Sequence, residues 1–102
     1  MANPYRGEVE VVVDGVARRA RLTLGALAEL EEQLGETSLL ALVERLEGGQ
    51  VSSRDVLALL VAGLRGAGWE GRREDLIAAD VAGGPIEAAR LAALLLARAF
   101  GP

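Results

Sequence analysis

The chain has no histidine, no cysteine and no lysine, so most of the side chains that carry acid–base, nucleophilic and metal chemistry near neutral pH are missing. A binding or assembly role, with no enzymatic activity and no cofactor, is the expectation that follows. Without cysteine there are no disulfides and no thiolate metal sites, which is compatible with a reducing cytoplasm. Aromatic residues are reduced to Tyr5, Trp69 and Phe100, so the core has to be built from aliphatic side chains. Residues 1–7 contain no apolar run of the kind a secretory leader needs, and none is expected. The longest apolar stretch, residues 56–64, is about half of the roughly 20 residues that a bilayer span requires. No membrane segment is expected either.

A concentrated basic surface is also missing. The 11 arginines face 15 acidic residues for a net charge of −4, and they are scattered along the chain. Phosphate binding needs a clustered basic face, so nucleic acid is a poor candidate partner. The densest group, Arg18, Arg19 and Arg21, has a local explanation given below.

What is present is aliphatic: 51% of the 102 residues are hydrophobic, chiefly Ala, Leu and Val. That length and composition predict a single domain over 1–102, comprising an N-terminal segment at 1–7, a β-hairpin at 8–22 and a helical part at 23–100.

Residues 8–13 and 16–22 flank Asp14-Gly15, the dipeptide that favours a two-residue type I′ hairpin because both central positions need positive φ. If Val13 pairs with Val16, Glu10 lies opposite Arg19 and Glu8 opposite Arg21 on one solvated face. The other face offers Val9, Val11, Val13, Val16, Ala20 and Leu22 to a core, with Arg18 as a misfit. A two-stranded ribbon is marginal alone, so helices must cover that face.

Thr23 is placed to cap a first helix running to about Leu34, with Leu27, Leu30 and Leu34 on one side and Gly35 ending it. Thr37 or Ser38 opens a second helix in which Leu39, Leu42, Val43 and Leu46 converge before Gly48-Gly49. These two are expected to form an αα-hairpin. Ser52 and Asp55 have capping-box spacing and open a third, central helix to about Arg65. Its apolar arc carries Val56, Leu57, Leu60, Val61 and Leu64, with Arg54, Asp55, Ala58, Ala62 and Arg65 opposite. Gly66-Ala67-Gly68 breaks it before Trp69. A short fourth helix over residues 73–79 presents Leu76 and Ile77. Gly83-Gly84-Pro85 restarts the chain into a last helix over 86–100, whose expected buried stripe is Ile86, Ala89, Ala93, Leu96 and Phe100. The architecture predicted is α+β and mainly helical, an N-terminal β-hairpin packed on four to five helices.

Three features are candidates for chemistry. The carboxylate pairs Glu31-Glu32, Glu44 with Glu47, and Glu74-Asp75 read as solvated helix faces, because general acid work needs a carboxylate desolvated beside apolar walls. No loop has EF-hand spacing, so no metal site is expected. The glycine-rich stretch at 63–68 follows a helix and lacks a Lys-Ser/Thr ending, which argues against a nucleotide loop.

Trp69 reads as a core anchor, and in the alternative reading as a partner-facing residue. The hairpin edges and the last helix are least explained by folding alone. There Leu91 and Leu94 share a sector with Glu87, Arg90 and Arg98. The candidate partner-binding residues are therefore Val12, Ala17, Trp69, Leu91, Leu94 and Leu95, and self-association through the same surfaces is a further expectation.

Asn3-Pro4-Tyr5-Arg6-Gly7-Glu8-Val9, the hairpin, the stretch Arg21-Leu22-Thr23-Leu24-Gly25-Ala26-Leu27-Ala28-Glu29-Leu30, and the run from Ser52-Ser53-Arg54-Asp55-Val56 to Gly63-Leu64-Arg65-Gly66-Ala67-Gly68-Trp69 together carry a pattern. They resemble the small gene transfer agent family of phage-like tail proteins, also described as tail assembly chaperones or tail tube proteins and encoded in alphaproteobacterial gene transfer agents and related prophages. The resemblance implies a non-enzymatic protein that binds the major tail protein, the tape-measure protein or both, in the bacterial cytoplasm during assembly or in the tail of a virion-like particle. It implies no catalytic residue and no cofactor. Two alternatives stand beside the chaperone role: a structural subunit of the tail tube, and a small bacterial adaptor unrelated to phage.

Overall fold

A computed structural model describes residues 3, 6–34, 39–50 and 52–100. Its element order is β1 (Val9–Val13), β2 (Val16–Ala20), α1 (Leu24–Leu34), α2 (Leu39–Glu47), α3 (Ser53–Gly66), α4 (Arg73–Ile77) and α5 (Gly84–Phe100). This is the α+β, mainly helical arrangement read from the sequence. The terminator expected at Gly35 and the cap expected at Thr37 or Ser38 lie outside the described residues.

The hairpin has the expected register, with Val13 opposite Val16, Glu10 opposite Arg19 and Val9 opposite Ala20. Its turn takes positive φ at both Asp14 (50°) and Gly15 (79°), the backbone that the Asp-Gly dipeptide favours. Val9, Val11, Val13, Ala20 and Leu22 are buried as expected. Val16 is not: at the hairpin tip, beyond the reach of the helices, it is 50% exposed. The expected Glu8–Arg21 pairing is replaced by a diagonal contact in which Arg19 lies 3.9 Å from Glu8. Glu8 is buried rather than solvated. Its carboxylate accepts from the Asn3 N–H at 2.7 Å, and Arg98 of α5 donates to its carbonyl at 2.6 Å.

Local capping sets the helix starts. The Ala26 N–H donates to Thr23 Oγ1 at 3.0 Å, and Ser52 and Asp55 form a reciprocal capping box at 3.1 and 3.2 Å. Helix α3 is the central element, as expected, but its buried surface is wider than one arc. Ala58 and Ala62, expected opposite the core, are buried along with Asp55, while Leu57 is only half-buried. The reason is that α3 has neighbours on several sides: α1, α4, α5 and β2 all pack on it. Helix α1 therefore packs chiefly on α3 and not, as an αα-hairpin would, on α2.

Small residues let β2 come close to α3. The Arg21 N–H donates to the Gly63 carbonyl at 2.7 Å, and a Cβ at Gly66 would collide with the Arg21 carbonyl oxygen. Gly66 is thus the last residue of α3 at a contact point, and the break comes after it, with Gly68 at φ 104°. Helix α4 ends at Ile77 rather than near Ala79, burying Leu76 and leaving Ile77 exposed.

Helix α5 differs most from expectation. Its buried residues are Ala88, Leu91, Ala92, Leu95 and Leu96. From the predicted stripe, Leu96 is buried, Ala89 half-buried and Ala93 exposed, while Ile86 and Phe100 stand 87% and 57% exposed. The helix is rotated relative to the reading because Leu95 seats against Gly63, where a Cβ would come within 2.8 Å of its side chain. A glycine on the central helix decides which face of α5 turns inward.

Candidate functional site

The six residues singled out from the sequence fall into three environments. Leu91 and Leu95 are core residues, 7% and 0% exposed, and Leu94 is half-buried and packed against the same core. Burial at that level leaves no surface on Leu95 for another chain to touch. Trp69 is also half-buried against the core. Its N–H donates to the Leu64 carbonyl at 2.9 Å, and its ring lies over Gly71, where a Cβ would strike it.

Val12 and Ala17 lie opposite each other in the hairpin but face different surroundings. In a two-residue hairpin closed at Val13 and Val16, the backbone groups of positions 12 and 17 point away from the partner strand. On the β1 side a later segment covers them. Ala82 N–H donates to the Val12 carbonyl at 3.0 Å, Asp14 N–H to the Asp80 carbonyl at 2.8 Å, and Asp80 N–H to Asp14 Oδ1 at 2.8 Å. Val81 makes a bridge to Val13. On the β2 side, Ala17 and Arg19 are exposed and have no backbone partner among the described residues. The open edge of the hairpin is β2.

An apolar surface that the sequence pattern does not mark as such lies elsewhere. Between α2 and α5 runs an open groove of about 680 Å3 walled by Leu39, Val43 and Leu46 on one side and Ala93, Leu96 and Phe100 on the other. Leu40, 67% exposed, stands at its rim with Phe100. Its signal in the sequence is the α2 stripe Leu39, Val43 and Leu46. In the structure that stripe is only partly covered, Leu42 being the one fully buried residue of α2 among those described.

Carboxylate chemistry has little to work with. Glu31, Glu32, Glu44, Glu47, Glu74 and Asp75 are all exposed, and Asp75 serves α4 by accepting the Arg72 N–H at 2.7 Å. Among the described residues the buried acids are Glu8 and Asp55. Burial alone pushes the Asp55 carboxyl up, but the Arg45 side chain, hydrogen bonds with Ser52 and the Arg45 charge together hold it below its ordinary value. That is the environment of a committed carboxylate, not of a proton donor. Among the described residues no group of three or more acidic side chains is placed to hold a metal ion, and no helix is long and apolar enough to cross a membrane.

No curated protein and no solved structure matches the chain. A family model described as "Phage tail tube protein, GTA-gp10" matches residues 6–102, which takes in the hairpin, the five described helices and both walls of the groove. A match over that extent removes the expectation of an adaptor unrelated to phage. The chain belongs to the GTA-gp10 phage tail tube protein family, a group of phage-like tail proteins of gene transfer agents.

Proposed function

We propose that the protein is a non-enzymatic tail assembly protein of the chaperone kind, which binds another tail protein, the tape-measure or the major tail protein, in the cytoplasm while a tail is built. The α2–α5 groove is the observation that supports this reading. Its α2 wall is 9 residues long, about 13 Å at the rise of an α-helix, enough for two to three turns of a partner helix with apolar anchors at i, i+3 or i+4 and i+7. Large aliphatic and aromatic side chains held open to solvent on both walls are what such an anchor needs. The open β2 edge is a second, backbone-mediated surface on another part of the molecule.

Co-expression of the chain with tagged tape-measure and major tail proteins from the same gene cluster tests this. Capture of either, lost on Leu40→Asp or Phe100→Asp, is the expected result. Capture of neither overturns the chaperone reading. The family description favours a second reading, a structural subunit of the tail tube. Mass spectrometry of purified particles separates the two, since a tube subunit is present stoichiometrically and an assembly chaperone is absent or scarce.

A further inference from the structure

Five of the 11 arginines surround one open cleft of about 1030 Å3 formed by α1, α2, α3, α4 and the segments between them: Arg45, Arg54, Arg65, Arg72 and Arg73. Two are committed to the fold. Arg45 holds Asp55 at 2.9 and 3.1 Å, and Arg65 bridges Glu29 and the Gly71 carbonyl, each at 2.9 Å. Arg54, Arg72 and Arg73 are exposed, and their guanidinium groups have no hydrogen-bond or ion-pair partner among the described residues. The one remaining carboxylate on the cleft among the described residues is Glu74. Among the described residues, five arginines against three acids leave this cleft with an excess of two positive charges, in a chain whose net charge is −4.

Local charge and the rest of the surface therefore have opposite sign. Three guanidinium forks come from two separate elements, Arg54 from the start of α3 and Arg72 and Arg73 from the start of α4, and they line one cleft whose volume far exceeds that of a small ion. Of the aliphatic residues at the cleft, Ala58 and Val61 belong to the core, while half-buried Leu34 offers an apolar spot on which an aliphatic side chain can rest. We infer that this cleft docks an acidic peptide segment of a partner protein, its carboxylates taken by Arg54, Arg72 and Arg73 and an intervening aliphatic side chain laid on Leu34.

Carboxylates suit the site for two reasons. Each guanidinium presents a planar fork that matches a carboxylate bidentately. Glu29, Asp55 and Glu74 at the cleft, and the excess negative charge elsewhere, oppose a dense polyanion such as nucleic acid, whose binding depends on summed attraction along a basic face. The inference goes beyond the apolar groove, since it uses different residues and a different attraction.

An NMR titration of the 15N-labelled full chain tests it with three probes: a short peptide alternating glutamate and leucine, the same peptide with glutamine in place of glutamate, and a single-stranded oligothymidylate. The glutamate peptide is expected to shift amide resonances of residues 53–55 and 72–74, to weaken as salt is raised, and to lose roughly tenfold or more in affinity in the Arg54→Gln, Arg72→Gln, Arg73→Gln triple variant. Ile86→Ser, at an exposed residue that lines neither the cleft nor the groove, should leave its affinity unchanged. All three arginines are exposed, so the triple variant should fold; the Arg54→Gln single and the Arg72→Gln, Arg73→Gln double give the same answer in smaller steps. No shift with the glutamate peptide, equal binding of the glutamine analogue, tighter binding of the oligonucleotide, or an affinity indifferent to the arginines each overturns the proposal. Capture of tail proteins that depends on Leu40 and Phe100 would survive any of those results, so the two readings fail separately.

Discussion

Arg45 on α2 donates from Nε and Nη2 to the two carboxylate oxygens of Asp55 on α3, at 3.1 and 2.9 Å. Asp55 Oδ2 also accepts the Ser52 N–H at 3.2 Å, so one carboxylate caps a helix and ties a second helix to it. With its carboxyl held below the ordinary value of 3.8, Asp55 binds its proton less readily in the folded chain than in the unfolded one. Its contribution is therefore fully present above the ordinary carboxylate range and is lost as pH falls through the folded-state value. Asp55→Ala should cost about 2–3 kcal/mol at neutral pH. Arg45→Met should cost about 1–2 kcal/mol, reduced because Arg45 is partly solvated. Urea unfolding at neutral and acid pH checks both: the gap between wild type and Asp55→Ala should narrow in acid.

Gly66 faces the Arg21 carbonyl, and a Cβ there would run into that backbone oxygen. Replacing a helical glycine by alanine ordinarily gains about 1 kcal/mol. Here the clash opposes the gain, because the obstacle is backbone and can yield only by moving the hairpin off α3. Gly66→Ala should destabilise by about 2 kcal/mol net, lowering the melting temperature by roughly 8–16 °C. The same substitution at Gly25, where a Cβ would meet only Thr23 Oγ1 at 3.9 Å, is the control and should be neutral or stabilising in a thermal melt.

The contrast between these sites shows which parts of the structure were legible in the sequence. The hairpin register, the Thr23 cap and the Ser52–Asp55 box each rest on a few neighbouring residues, so local chemistry determines them. The face of α5 does not. Ile86, Leu91, Leu94, Leu95, Leu96 and Phe100 surround the helix, and a helix apolar nearly all round has no polar side to orient it; the contact that orients it, Leu95 on Gly63, joins residues remote in sequence. The α2–α5 groove inherits that difficulty, since one of its walls is the α5 face that the pattern assigns to the core. The covering of β1 by residues 80–82 and the gathering of arginines from α2, α3 and the approach to α4 are likewise products of tertiary packing with no periodic signature.

Leu95 and Phe100 separate stability from binding on one helix. Leu95 is fully buried and Phe100 is 57% exposed. Leu95→Ala should cost about 2–5 kcal/mol through the cavity it leaves, and any loss of partner capture would follow from loss of folded protein. Phe100→Asp should change stability by about 0.5 kcal/mol or less while removing capture of a partner that uses the groove. Urea midpoints paired with pull-down yields give the comparison.

Ala17 sits on the uncovered strand with its N–H turned away from β1, so a proline there removes no hydrogen bond of the hairpin. Its ring still narrows φ toward about −65°, at a cost of roughly 1 kcal/mol at an exposed edge. If the β2 edge receives a strand from another tail protein, Ala17→Pro should abolish that capture, because the lost N–H is one of the few outward donors that β2 offers. Ala17→Thr, which keeps the N–H and suits a strand, should preserve it. Equal capture by both variants would assign binding to the side chains of the α2–α5 groove and leave the edge a passive surface, whereas loss with proline alone would establish backbone pairing as a second mode of contact.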